Sequence, residues 1–188
     1  MDPLGLRAEA AEIPESRLDR FQRGNTAYMK DNERNDRRFA GTLEIQAGRG
    51  DDSLISGHAW IAFTSDSTAE RHTYGTWNRP ELGLVGVETD TELNWTGDVS
   101  RTARITLEQE WTLQQYIGER QGLGEKAWGY LCNCSEFSQE AWNRTTGEAL
   151  QNRNAAGIPN PNSLADSILE ANRGQPHATV GAAVNRDQ

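Results

Sequence analysis

The chain has 188 residues, with 19 Lys and Arg against 28 Asp and Glu for a formal net charge of −9, and 35% of its residues are hydrophobic. That charge balance argues against a nuclease, whose phosphate contacts need clustered Lys and Arg. The length accommodates one domain with a real core, while no apolar run is long enough to cross a bilayer and no signal-peptide pattern is visible.

Residues 1–40 are polar and charge-rich, with the runs Arg17-Leu18-Asp19-Arg20 and Arg34-Asn35-Asp36-Arg37-Arg38, and read as a linker plus one surface helix. Within them, Asp2-Pro3-Leu4-Gly5-Leu6 resembles the Asp-Pro-x-Gly-Leu junction that ends the core of Rhs-type polymorphic toxins. An ordinary Pro-Gly turn is the competing reading. The resemblance implies that a toxin domain follows the junction, that Met1 is an added start residue, and that the natural polypeptide extends upstream. It also implies export by a dedicated secretion apparatus, with the Rhs core and a cognate immunity protein as partners.

The next 133 or so positions, 41–173, read as one catalytic domain, and 174–188 as a flexible tail containing His177. Strands are expected at 42–47, 59–63 and 71–77, with a weaker signal at 83–88 and irregular chain over 89–100. A helix is expected over 107–120, with Thr106 and Gln109 as a capping box and Leu107, Trp111, Leu113, Tyr116 and Ile117 on its apolar side. A second helix runs over 135–146 with Gly147 as its C-cap, and a third over 163–171 with Asn162 or Ser163 as its N-cap. Strands followed by helices make the fold class α+β, a small antiparallel sheet packed on helices.

Within this frame Cys134 falls where an extended segment becomes a helix. There it meets unpaired backbone N–H groups and the positive end of the helix dipole, an environment that favours thiolate. A buried structural cysteine is the alternative. His58, in the strand Gly57-His58-Ala59-Trp60-Ile61-Ala62-Phe63, shares a face with Trp60 and Ala62 and is the candidate general base. If the following hairpin centres near Ser65, His72 stands opposite His58 and orients its ring, with Thr73, Tyr74 or a backbone carbonyl as substitutes. Trp60, Tyr74, Trp77 and Asn133 are the candidate substrate contacts, against a competing role for the tryptophans in core packing. Cys132 and Cys134 are too close in sequence for a comfortable disulfide, and Cys132 reads as a packed small hydrophobe. Three histidines and two cysteines form no recognised metal spacing, so no metal or cofactor is expected.

The order of a strand histidine followed by a helix-start cysteine resembles the circularly permuted NlpC-type papain-like families. Their relatives in the lecithin:retinol acyltransferase group carry two strand histidines and an Asn-Cys-x-x-Phe motif, matched here by His58, His72 and Asn133-Cys134-Ser135-Glu136-Phe137. Those acyltransferases usually have Glu-His where this chain has Ser135-Glu136. Tyr74-Gly75-Thr76-Trp77 and Ile158-Pro159-Asn160-Pro161-Asn162-Ser163-Leu164 look like segments of permuted papain-like toxins. The resemblance implies a cysteine amidase or peptidase that hydrolyses peptidoglycan stem-peptide amides through a thioester, acting inside target cells, with the periplasm favoured and the cytoplasm as the alternative. A protease or deamidase acting on a cytosolic protein, a lipid-directed acyltransferase or phospholipase, and a non-catalytic binding module are the competing readings.

Overall fold

The computed structural model describes residues 39–51 and 56–180. The junction motif and most of the expected linker lie outside them. The chain divides after Arg37, and the fold is that of the second unit, Arg38–Gln188. It is α+β. Six strands, β1 (Phe39–Arg49), β2 (Gly57–Ser65), β3 (Arg71–Arg79), β4 (Leu84–Thr89), β5 (Val99–Thr106) and β6 (His177–Val180), form one sheet in the order β4-β3-β2-β1-β5-β6. Every neighbouring pair is antiparallel except β5 and β6. Three helices, α1 (Leu107–Gln121), α2 (Cys134–Thr146) and α3 (Pro161–Ala171), supply the other layer.

Period-two alternation explains which face the helices cover. Leu43, Ile45 and Ala47 of β1, Ala59, Ile61 and Phe63 of β2, and Ala103 and Ile105 of β5 point into one core with Leu113, Ile117, Phe137, Ala141, Trp142, Leu164 and Ile168. The intervening residues, among them Glu44, Gln46, His58, Trp60 and Thr102, lie on the opposite face. Trp142 is fully buried, as its place on the apolar side of α2 predicts, and its Nε1 donates to Glu148 at 3.0 Å. Trp111, expected on the buried side of α1, is instead 39% exposed.

Helix boundaries follow cap chemistry. Thr106 and Gln109 form the expected reciprocal capping box on α1. Gly147 takes the left-handed conformation, φ 75°, that closes α2. The N-cap of α3 is Asn160, not Asn162 or Ser163, and Pro161 occupies the first turn, where a missing N–H leaves no donor unpaired.

Two strands depart from expectation. β5 falls partly in the stretch read as irregular, and β6 falls in the expected tail, where His177 Nδ1 lies 3.0 Å from Ser100 Oγ. Together β5 and β6 widen the sheet face that none of the three described helices covers. Among the described residues no helix is long and apolar enough to cross a membrane.

Candidate active site

Asn133 builds the end of α2 on which Cys134 sits. Its Oδ1 accepts from the N–H groups of Ser135 (3.0 Å) and Glu136 (3.3 Å) and from Ser135 Oγ (2.7 Å). Its own amide donates to the Pro159 carbonyl at 2.7 Å. Phe137 N–H is taken by the Asn133 carbonyl at 3.0 Å, the first regular bond of the helix. Three of the four first-turn donors are therefore satisfied, and the N–H of Cys134 itself is the one left without an internal acceptor among the described residues. Asn133 is thus a structural cap with every side-chain polar atom engaged; the expectation that it contacts substrate is corrected.

His58 stands near the start of β2, opposite Gly48 of β1. Pairing of β2 with β3 runs only from Ile61↔Tyr74 to Thr64↔Arg71, so His58 lies beyond the paired part of that ladder. Its ring lies close enough to the Cys134 thiol for that sulfur to favour the protonated imidazole. On its other side, Nε2 lies 2.9 Å from Glu92 Oε1. Burial pushes His58 down, but Cys134 and Glu92 outweigh it and raise the imidazole from 6.5 to about 9.

The partner that orients the ring is Glu92, which the sequence reading missed. It is fully buried in the connection between β4 and β5. Trp77 Nε1 donates to the same Oε1 at 2.8 Å, and Thr73 Oγ1 donates to Oε2 at 3.1 Å. Thr73 also accepts the backbone N–H of Glu92 at 3.2 Å. Three side-chain donors on one buried carboxylate compensate its desolvation and fix its direction. Gly75 makes room for it: a Cβ there would lie 2.3 Å from Glu92 Oε1 and 3.1 Å from His58 Nε2.

His72 is not at this site. The observed register sets it opposite Phe63, and continuing that register puts Trp77 opposite His58. The hairpin turn is longer than the one centred on Ser65: Ser65 N–H bonds the Glu70 carbonyl at 3.0 Å, and Ala69 takes φ 57° to close it. His72 Nδ1 instead pairs with Asp90 Oδ2 at 3.1 Å, while Asp90 Oδ1 accepts from Thr73 N–H at 3.0 Å. His72 and Asp90 fasten the start of the loop that carries Glu92. Of the substitutes for His72, Thr73 reaches the cluster, but through Glu92 rather than His58.

The other sequence candidates divide. Trp60 and Trp77 flank His58, with ring centroids 5.7 and 4.3 Å away, and Trp95 closes the cluster edge-on at 5.9 Å. Trp60 is buried, with its Nε1 unpartnered, so it walls the site rather than offering an open platform. Tyr74 packs against the helix-side core, away from His58, and the expectation of substrate contact there is corrected. Cys132 is a half-buried free thiol in the turn before α2, where its N–H bonds the Gly129 carbonyl at 3.0 Å. Among the described residues no group of three His, Cys, Asp or Glu is placed to hold a metal ion.

No family model, curated protein or solved structure matches the chain. Whatever is said of its chemistry rests on this cluster.

Proposed function

We propose that the chain is a cysteine amidase or peptidase with Cys134 as nucleophile, His58 as general acid and base, and Glu92 as the residue that orients His58. The observation that carries this reading is the juxtaposition of the Cys134 thiol with His58, whose other side is hydrogen-bonded to the buried Glu92 at 2.9 Å. Glu92 occupies Nε2, so Nδ1 is the nitrogen left to exchange a proton with the thiol. The raised imidazole favours transfer of the thiol proton to His58.

In the reaction, the thiolate attacks an amide carbonyl, and the unpaired Cys134 N–H donates to the developing oxyanion. His58 then gives its proton to the leaving amine, which departs as the C–N bond breaks and leaves a thioester. Water, deprotonated by His58, attacks the thioester; the acid is released and the thiol is restored.

A helix-start thiol packed on an antiparallel sheet beside a strand histidine supports a permuted papain-like fold of the NlpC type. The junction-like motif at Asp2–Leu6 supports an Rhs-type antibacterial toxin domain, and the two together support peptidoglycan stem-peptide amides as substrate. The test is bacterial growth during expression with and without an export signal, for wild type and Cys134→Ala. Arrest on export alone, relieved by the substitution, is expected. Cys134-dependent arrest without export would move the substrate to the cytosol, and arrest indifferent to Cys134 would end the thiol assignment.

A further inference from the structure

We propose that the sheet face opposite the helices carries a binding groove for a neutral pyranose saccharide. A groove of about 640 Å³ lies there, within the usual range for small-molecule sites. Its floor is two rows of side chains crossing three strands: Gln46 beside Ser100, and Glu44 beside Thr102. Each row continues onto β6, where His177 pairs with Ser100 and Thr179 with Thr102. Its wall is Trp95, 47% exposed.

Three features of the lining select the ligand. The backbones of β1 and β5 are paired on both sides, so an extended peptide gains no main-chain ladder there and recognition falls to side chains. Glu44 is paired with Arg71 at 2.8 Å, so these two charges cancel within the lining. What remains is hydroxyl groups, the His177 ring, the Gln46 amide, whose Oε1 is engaged by Gly97 N–H at 2.8 Å and whose NH2 is left to donate, and the half-exposed Trp95 indole. Hydroxyls and an amide beside an indole complement the hydroxyl edge and the C–H face of a sugar ring.

Trp95 also connects the groove to the thiol site, since its ring packs against both His58 and Trp77. A glycan-bearing substrate held against Trp95 would therefore contact a ring that also borders His58. In naming glycan-bearing substrates this step rests on the hydrolase reading, whereas the binding itself does not.

The test uses the full chain carrying Cys134→Ala, titrated with a tetramer of N-acetylglucosamine by calorimetry, with indole signals followed by NMR. Saturable binding that shifts the Trp95 indole, and that weakens at least tenfold on adding Trp95→Ala, is expected. Thr102→Trp, which fills the floor and keeps Trp95, should abolish binding as well. No binding, or binding that survives both substitutions, overturns the proposal. A sugar-free stem peptide that competes the tetramer out of the groove overturns the saccharide assignment. Because Cys134 is absent throughout, these results stand apart from any failure of hydrolysis.

Discussion

At the scale of single residues, the orienting role of Glu92 separates this site from an ordinary buried cluster. Glu92→Gln keeps the volume but removes the charge facing His58 and turns one acceptor into a donor. It should lower kcat by about 10²- to 10⁴-fold, the range of a general acid–base contribution, with a smaller change in KM. His58 supplies a second test. In the proposed mechanism its imidazolium, raised to about 9, is the acid that protonates the leaving amine, so kcat/KM should fall as pH rises through about 9. In Cys134→Ala the thiol's support is gone while burial still disfavours the charge, and the His58 titration followed by NMR should move downward. A His58 titration unchanged by that substitution would contradict the contact. Sequence could single out Cys134 and His58 because each sits in a recognisable local pattern. It could not single out Glu92, one acidic residue among 28 Asp and Glu, in a loop without periodicity.

Among secondary-structure elements, the decisive joint is the start of α2. Asn133 caps two N–H groups and ties the helix to the Pro159 carbonyl, and by taking its neighbours it leaves the Cys134 N–H free. Asn133→Ala should cost about 1 kcal/mol, seen as a fall of roughly 2–4 °C in Tm. Unchanged stability would mean that water replaces the cap. The capping box of α1 and the Gly147 cap of α2 were legible from sequence because they depend on residues a few positions apart, whereas the N-cap of α3 was misplaced. Strand register was not legible: the β2–β3 turn has no Gly or Asn-Gly signal, and it closes with Ala69 in a conformation alanine rarely adopts. That is why Trp77, not His72, faces His58. β5 was hidden for another reason. Its helix-facing positions are Val99, Arg101, Ala103 and Ile105, and the arginine breaks the apolar alternation. Arg101 is accepted there because Glu148 binds it at 2.6 and 2.7 Å and Asn172 at 2.8 Å, partners distant in sequence.

For the molecule as a whole, the two faces of the sheet divide the work. One holds the helices and the core; the other holds His58, its tryptophans and the polar groove. Alternation made that division readable for β1 and β2, whereas the extent of the open face depended on β6, a short parallel edge strand with little pattern of its own. The site also couples to stability. Because folding raises His58 above its ordinary 6.5, its contribution is complete below about 6.5 and is lost as pH rises through about 9. Urea midpoints should therefore fall between pH 6 and 9.5, and fall less in His58→Gln; an equal fall in both would assign the loss to other groups.

The most direct test of the thiol mechanism is digestion of purified peptidoglycan by wild type, Cys134→Ala and Glu92→Gln, with fragments read by mass spectrometry. New amine and carboxyl ends with the wild type, none with Cys134→Ala and slowed release with Glu92→Gln are expected. Equal release by Cys134→Ala, or no release by the wild type, would contradict a cysteine hydrolase of the cell wall.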